Sequence, residues 1–540
     1  MGIIRDFKKL KTGDSVKIFG WAHRIRRHGK MIFVDLRNRS GIVQCVIKGE
    51  EMKKLDSVLE ESVLEIDGTV VERMKKNPNI EFGNLEIQVE NVNVLSKAKP
   101  LPLEIKNPDI IRTTKEETRL KWRYLDLRRP EIMKNLLFRA KVAKSFRKFL
   151  DDNGFVEIET PYFAKSTPEG SRDFLVPSRI HKGKFYALAQ SPQLYKQILM
   201  VSGFEKYYQF ARCFRDEDPR ADRQPEFTQI DIEMSFVNRD DVMKIVEEMI
   251  KFVVKETTGK ELSDFPVITY KDSMNLYGTD KPDLRIPEKI TTDGNLKYIV
   301  SDIENDGIIE DLKKIDGIKF SYKGRGNFDD DIKKIPSHNL IIYSRYDNSN
   351  WENVSKQLGI ARSVIGKHRN LPRDYKFAWI VDFPLFEINE SGEITSTHHP
   401  FTMVKDEKML EHPLEATSLA YDIVLNGSEV GGGSIRIHDE NVQRKVFEIL
   451  QLDESEIEKR YGFLLRAFEY GVPPHGGIAF GFDRFVAKLL FKENIREMIA
   501  FPKTSDWRDL MSETPSDIPK EYIDETIRPM VEDLKRRKLL

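Results

Sequence analysis

Apolar and polar residues alternate in short runs through the first hundred positions. The runs are Val16–Trp21, Met31–Leu36, Ile42–Ile47, Val63–Val71 and Leu85–Leu95. Turn formers separate several of them, as in Asn38-Arg39-Ser40-Gly41. Alternation with period two marks half-buried strands. Five such runs in about 100 residues predict a small Greek-key barrel over 1–100, with an OB-fold first among the candidates. Barrels of that kind often bind single-stranded nucleic acid on an exposed strand face. Pro100, Pro102 and Pro108 then mark a linker, taken as 101–135.

Beyond the linker the period changes. Phe138, Val142, Phe146 and Leu150 recur at helical spacing, and Gly154 stands where that helix would stop. Phe155–Pro161 reads as a strand ending in proline, and 185–236 reads as further strands broken by charged loops. That order is unlike a parallel βαβ series and predicts an α+β domain whose first part spans 136–280. Residues 281–390 turn to Lys/Asp-rich alternation, the pattern of an inserted α+β module. Strands return at Phe377–Val381. Helical patterns follow at Leu414–Leu425 and Val442–Leu450, within a second part assigned to 391–540 with a polar tail.

Composition narrows the class. A chain of 540 residues with 39% hydrophobic and 33% charged positions can bury real cores. The length is a prior for roughly three or four domains. The 88 basic and 88 acidic residues cancel, yet a balanced total does not exclude nucleic acid, because binding depends on where the charge sits. Basic residues do cluster, in His23–His28 and Lys535–Lys538. Cys45 and Cys213 have no partners at metal-ligand spacing and are expected as small core residues in a reducing compartment. No apolar stretch reaches the roughly 18–20 residues of a membrane span, and no leader-like segment opens the chain. The expected location is the cytoplasm.

Two segments carry chemistry. The first, Phe214-Arg215-Asp216-Glu217-Asp218-Pro219-Arg220, continues through Gln224 and Phe227 to Asp231, dense in charge between apolar strands. Such a loop suits a polyphosphate, which a planar arginine binds bidentately. A solvated hairpin tip is the competing reading from charge alone. The second is Gly481-Phe482-Asp483-Arg484, after a small-residue strand from Pro473 to Phe480. A strand that runs into a helix beginning near an arginine is a phosphate-binding arrangement. There is neither a GxxxxGK[ST] loop nor a GxGxxG after a strand, so the ordinary nucleotide folds lack support.

In order, the strand ending at Pro161, the Phe214–Glu217 hairpin and Gly481–Arg484 resemble motifs 1, 2 and 3 of class II aminoacyl-tRNA synthetases. The segments Ser166–Asp173, Gln190–Gln197, His398–Thr402 and Glu429–Arg436 are similar to site segments of the bacterial-type aspartyl family. The resemblance runs from about Gly20 to Pro502 and is loosest in the inserted module. It implies an N-terminal OB-fold that binds the anticodon, a class II α+β catalytic domain with an antiparallel sheet, and an inserted α+β domain between motifs 2 and 3. It also implies a homodimer, with Pro161 at the interface. The implied reaction joins L-aspartate to ATP as aspartyl-adenylate, with Mg2+, and then to tRNA(Asp).

Residue by residue, the resemblance places Lys196 and Arg436 on the aspartate side chain, with Gln193 orienting it. Glu169 and Asp231 face the α-ammonium group, and His398 and His399 close over the amino acid. For ATP, Arg215 meets the α-phosphate and Glu217 the adenine, with Asp216 and Gln224 alongside. Phe227 stacks on the adenine, and Arg484 binds the γ-phosphate beside Gly481, Phe482 and Asp483. Asp422 and Glu429 are the magnesium carboxylates, an arrangement that fits a hard cation bridging phosphate oxygens. Arg215 and Arg484 carry the catalytic charge stabilisation. In the barrel, Phe33 and Gln44 match the anticodon readers, the charges of Arg24, Arg26 and Arg27 suit backbone phosphates, and His28 stands where strictly specific relatives often have leucine. That departure resembles relaxed relatives that also charge tRNA(Asn). An asparaginyl enzyme should lack the Lys196–Arg436 charge pair, a lysyl enzyme should present acids, and an inactive binding protein should have lost Arg215, Glu429 or Arg484. None of these patterns is met.

Overall fold

The computed structural model describes residues 2–167, 171–218, 223–326, 335, 338–347 and 349–538. Two compact units emerge, Met1–Thr118 and Arg119–Leu540.

In the first unit, the long strand Ser15–His28 pairs antiparallel with both Met31–Asn38 and Val63–Glu72. Gly41–Lys48 and Leu85–Ser96 complete a closed five-stranded barrel, with Gly2–Ile4 added outside on Ser15–His28. Inward positions such as Ile32, Val34, Leu36, Val43, Cys45 and Ile47 form its core. The alternation in the sequence is therefore the barrel's inside and outside. Within the region taken as a linker, the chain forms short helices at Pro108–Thr113, Glu116–Lys121 and Arg123–Asp126.

The second unit is built on an eight-stranded sheet. Its order is Val267–Thr269, Phe377–Val381, Ala420–Leu425, Ser428–Ile435, His475–Gly481, Glu226–Ser235, Lys206–Phe214 and Val156–Glu157. The six central strands are antiparallel, and the two edge strands join parallel. Helix Pro130–Asp152 buries Val142, Phe146 and Leu150 against it and ends before Gly154, whose φ is +77°. Helix Arg239–Thr258, closed at its start by an Asn238–Asp241 capping box, packs beside it.

Three expectations change here. Leu414–Leu425 is not helical: a short turn at Pro413–Glu415 leads into the strand Ala420–Leu425. All six strand residues are buried, and a central strand covered on both faces shows no alternation to separate it from a helix. Only Val156–Glu157 of the Phe155–Pro161 run pairs in the sheet. Between residues 185 and 236 the chain also forms a helix, Gln193–Val201.

A separate five-stranded sheet with helices Ile308–Leu312 and Trp351–His368 lies between Val267–Thr269 and Phe377–Val381 in the chain and has its own apolar core. Phe377–Val381, inside the expected 281–390 module, belongs instead to the eight-stranded sheet. Of the expected helix Val442–Leu450, all but the capping Leu450 lies within the helix Glu440–Ile449. Cys45 and Cys213 are buried, and neither forms a disulfide among the described residues. Among the described residues, no helix is long and apolar enough to cross a membrane.

Candidate active site

Helix Gln193–Val201 buries Gln193, Lys196, Gln197 and Met200. That spacing is one helix face, normally apolar, yet three of its four members are polar. Burying them is costly unless each meets a partner. For Lys196 the partners come from the adjacent sheet. Lys196 Nζ lies 2.8 Å from Asp231 and 3.1 Å from Glu233. Arg436 Nε lies 2.9 Å from the same Glu233 carboxylate, and its Nη2 donates to Glu233 at 3.2 Å. All four side chains are fully or almost fully buried.

Glu233 thus bridges two cations. Burial raises its pKa, but Arg436 and Lys196 more than offset this and hold it at about 2. Asp231 moves the other way, because burial outweighs Lys196. His399 Nε2 accepts from Arg436 Nη1 at 2.5 Å. Burial, and then the Arg436 charge, hold that imidazole well below its usual pKa, so it stays neutral. On its other side, His399 Nδ1 lies 3.3 Å from both the Phe401 backbone nitrogen and Thr402 Oγ1.

The neighbouring strand leaves no room against Glu233. A Cβ on Gly477 would come within 2.0 Å of Glu233 Oε2 and 2.1 Å of the Ile232 carbonyl. Glycine is needed there for close approach rather than for φ.

Lys196, Asp231, His399 and Arg436 line a cavity of about 860 Å³ together with Gln193, His398, Asp422, Glu429 and Arg215, with Glu233 bracing the two cations from behind its wall. Gln193 Nε2 is buried without a hydrogen-bond partner among the described residues. Lys356, Gly359, Ile360 and Ser363, from the helix Trp351–His368, form part of the wall. A second chamber of about 240 Å³ shares Arg215, Gln229, Glu429 and Ala479, and adds Glu217, Gln224, Phe227, Gly481, Asp483 and Arg484. There the Arg215 guanidinium lies 5.2 Å from the Phe227 ring centroid, and Arg484 Nη1 donates to the Glu429 carbonyl at 3.0 Å. The seven-residue spacing of Asp422 and Glu429 is a strand and turn. Asp422 is raised to about 6, by burial and then by the Glu429 charge. Among the described residues its buried Oδ1 has no hydrogen bond, and His398 Nε2 lies 3.6 Å away. Two carboxylates that repel across a cavity wall suit a cation.

A family model described as class II tRNA synthetases (D, K and N) matches residues 115–505, and an OB-fold nucleic acid binding domain matches 5–95. An aspartate–tRNA(Asp/Asn) ligase of Dictyoglomus turgidum is 46% identical, with 95% of each chain covered. An aspartate–tRNA ligase of Bacillus licheniformis is 45% identical over the same shares. The chain belongs to the aspartate–tRNA ligase family of class II tRNA synthetases. Solved relatives share the fold at lower identity. An Entamoeba histolytica asparaginyl-tRNA synthetase with asparaginyl-adenylate aligns at a TM-score of 0.65 and 22% identity, covering 93% of this chain and 98% of its own. The aspartyl-tRNA synthetase of the same organism aligns at 0.59 and 22%, covering 91% and 89%.

Not every family position faces the chambers. Glu169 lies outside the described residues. Phe482 turns into the hydrophobic core, with ring centroids 5.4 Å from Phe210 and 6.3 Å from Phe146. Asp216 lines neither chamber; its backbone pairs with Arg172. The Asp483 carboxylate is held by Arg139 and by the Thr228 N–H at 2.9 Å. Both amide atoms of Gln224 bond to the Lys503 backbone.

Sequence reasoning missed four members of this neighbourhood. They are Glu233, Arg139, His475 and Lys281, the last lying 3.2 Å from Glu429. Glu233 had a signal: an acid two residues after Asp231, on the same strand face.

In the barrel unit, Phe33 is half-buried outside the core and meets His28 edge-on at 6.2 Å. Arg26 makes a two-pronged pair with Asp35, each bond 2.8 Å. Gln44 accepts from Arg26 at 3.3 Å and donates to Glu86 at 3.1 Å. This ladder fixes the Gln44 amide on the strand face that carries the half-buried Phe33 ring.

Proposed function

We propose that the chain activates L-aspartate with ATP and transfers it to tRNA(Asp), and also to tRNA(Asn). The observation that carries the amino acid choice is the Glu233-braced pair of Lys196 and Arg436. Fixed, buried cations favour a carboxylate over an amide. Asp231 then meets the α-ammonium group, Gln193 orients the substrate and His399 steadies Arg436 from above.

The aspartate α-carboxylate attacks the α-phosphorus of ATP, giving aspartyl-adenylate and pyrophosphate. The tRNA 3′-terminal hydroxyl then displaces AMP. No side-chain nucleophile is needed, so rate comes from positioning and charge stabilisation. Arg215 meets the α-phosphate, Phe227 stacks on adenine and Arg484 holds the γ-phosphate. Asp422 and Glu429 would hold magnesium, which neutralises phosphate charge when bound. Asp483 and Gln224 act by positioning the strand and loop that carry these groups.

Phe33 stacks an unpaired anticodon base while Gln44 reads an edge. His28, exposed beside Phe33, supports the relaxed reading, as do the several relatives named tRNA(Asp/Asn) ligases, including that of Bacillus subtilis at 43% identity. The exposed apolar group Tyr162, Phe163, Leu175, Phe185 and Tyr186 follows Pro161, and supports a homodimer. A cytoplasmic location is consistent with this chemistry.

The test is aminoacylation of both transcripts with labelled aspartate. Charging of both is expected. Charging of tRNA(Asp) alone would make His28 neutral, and charging of neither would overturn the reading.

A further inference from the structure

A third cavity, of about 470 Å³, is lined by Lys271, Asn275, Thr292, Lys297, Tyr346 and Trp351. The reaction above does not use it. Lys297 stands on the strand Leu296–Ser301, opposite Thr292, and is only 2% exposed. Its Nζ donates to Ser355 Oγ at 2.6 Å and to Asn275 Oδ1 at 3.1 Å. The Tyr346 and Trp351 ring centroids lie 5.1 and 5.3 Å from it.

Buried lysines are normally paired. Among the described residues, three lysines are buried. Lys196 has carboxylates at 2.8 and 3.1 Å, and Lys488 has one at 2.7 Å. Lys297 has only neutral partners, and burial without any acid holds its pKa below the usual lysine value. The two rings offset part of the missing charge by cation–π attraction, but an anion would offset the rest. Lys271 adds a second, exposed cation at the rim.

The shape selects among anions. Two aromatic walls beside two lysines suit a flat ring joined to a phosphate, and the volume accommodates one such unit. Aromatic stacking with lysine on phosphate is how unpaired nucleotides are held. We propose that this cavity binds one unpaired ribonucleotide, its phosphate at Lys297 and Lys271 and its base on Trp351 and Tyr346. The occupant is a nucleotide of an RNA chain or a free mononucleotide; only the RNA arm of the test rests on the ligase reading.

The test uses the full-length chain, Lys297→Met and the rim variant Lys271→Glu, which leaves the interior intact. Three readouts are taken: the KM for tRNA(Asp) transcript, aspartate-dependent ATP–pyrophosphate exchange, and calorimetric titration with CMP. CMP lacks the adenine that the catalytic chamber stacks. The expected result is a KM for tRNA raised about tenfold in both variants, the scale of one charge-assisted phosphate contact, with exchange unchanged. An unchanged KM with CMP binding that both variants lose supports the same site with a free nucleotide as occupant. An unchanged KM and no CMP binding by the wild-type chain overturns the proposal. Absence of exchange in the wild-type chain would instead refute the ligase reading, and the CMP titration would still decide this site.

Discussion

Glu233 Oε1 lies 2.9 Å from Arg436 Nε, and the same carboxylate reaches Lys196 at 3.1 Å. One buried acid therefore sets the position of both cations proposed to read the aspartate side chain. Replacing Glu233 with Gln keeps the shape and removes the charge. Breaking one partner of a buried ion network costs roughly 3–5 kcal/mol. Glu233→Gln is expected to lose about that much in urea unfolding and to reduce kcat/KM for aspartate by at least about a hundredfold, since misplaced groups lose near-attack geometry. A stable variant with unaltered aspartate kinetics would remove Glu233 from the site.

Gly477 faces that carboxylate from the neighbouring strand. Gly477→Ala would place a methyl 2.0 Å from Glu233 Oε2, so the carboxylate must move. The predicted result is a raised KM for aspartate with a smaller change in the KM for ATP, both read by pyrophosphate exchange. An equal rise in both constants would point to a distorted sheet instead.

Arg139 holds Asp483 from helix Pro130–Asp152, and its guanidinium lies 4.5 Å from the Phe482 ring centroid. Asp483 in turn accepts from the Thr228 N–H, next to Phe227. Arg139→Leu leaves a buried carboxylate without its cation, a loss of about 3 kcal/mol. The prediction is a raised KM for ATP with little change for aspartate. Wild-type ATP kinetics in this variant would contradict the positioning role of Asp483.

Glu61 supplies a pH test in the barrel unit. It sits at φ +70° with Arg37 Nη2 2.7 Å away and His23 at 3.5 Å. Burial raises its pKa, but the His23 and Arg37 contacts outweigh this and hold it at about 2, against an ordinary 4.5. A depressed acid stabilises the fold above its unfolded pKa and loses that contribution as pH falls through the folded one. The gap is worth about 3 kcal/mol. The stability difference between wild type and Glu61→Gln should be about that at pH 6 and should shrink between pH 4.5 and 2. A pH-independent gap would contradict the pairing.

Much of this was legible in the sequence because it lay in local patterns. The barrel strands alternate, helix Pro130–Asp152 repeats at helical spacing, and Lys196, Asp231, Arg436, Arg215 and Arg484 fall in compact motifs that meet around joined chambers. What stayed hidden depends on pairing between distant segments. Arg139 and Asp483 are 344 positions apart, and Arg436 and Glu233 are 203 apart. Nothing local marks Arg139 as more than an exposed helix cation. Ala420–Leu425 was misread as helix because a strand buried on both faces has no period to show. Phe482 lies within a ligand motif, yet its side chain packs into the core, since motif membership fixes backbone position and not side-chain direction.

The central claim is that the chain selects a carboxylate side chain through Lys196 and Arg436. The most direct measurement is ATP–pyrophosphate exchange by the wild-type chain with aspartate and with asparagine as alternative substrates. The account predicts strong exchange with aspartate and a kcat/KM for asparagine lower by at least about a thousandfold, as for a site built around a group that the analogue lacks. Comparable exchange with both, or exchange with asparagine alone, would contradict it.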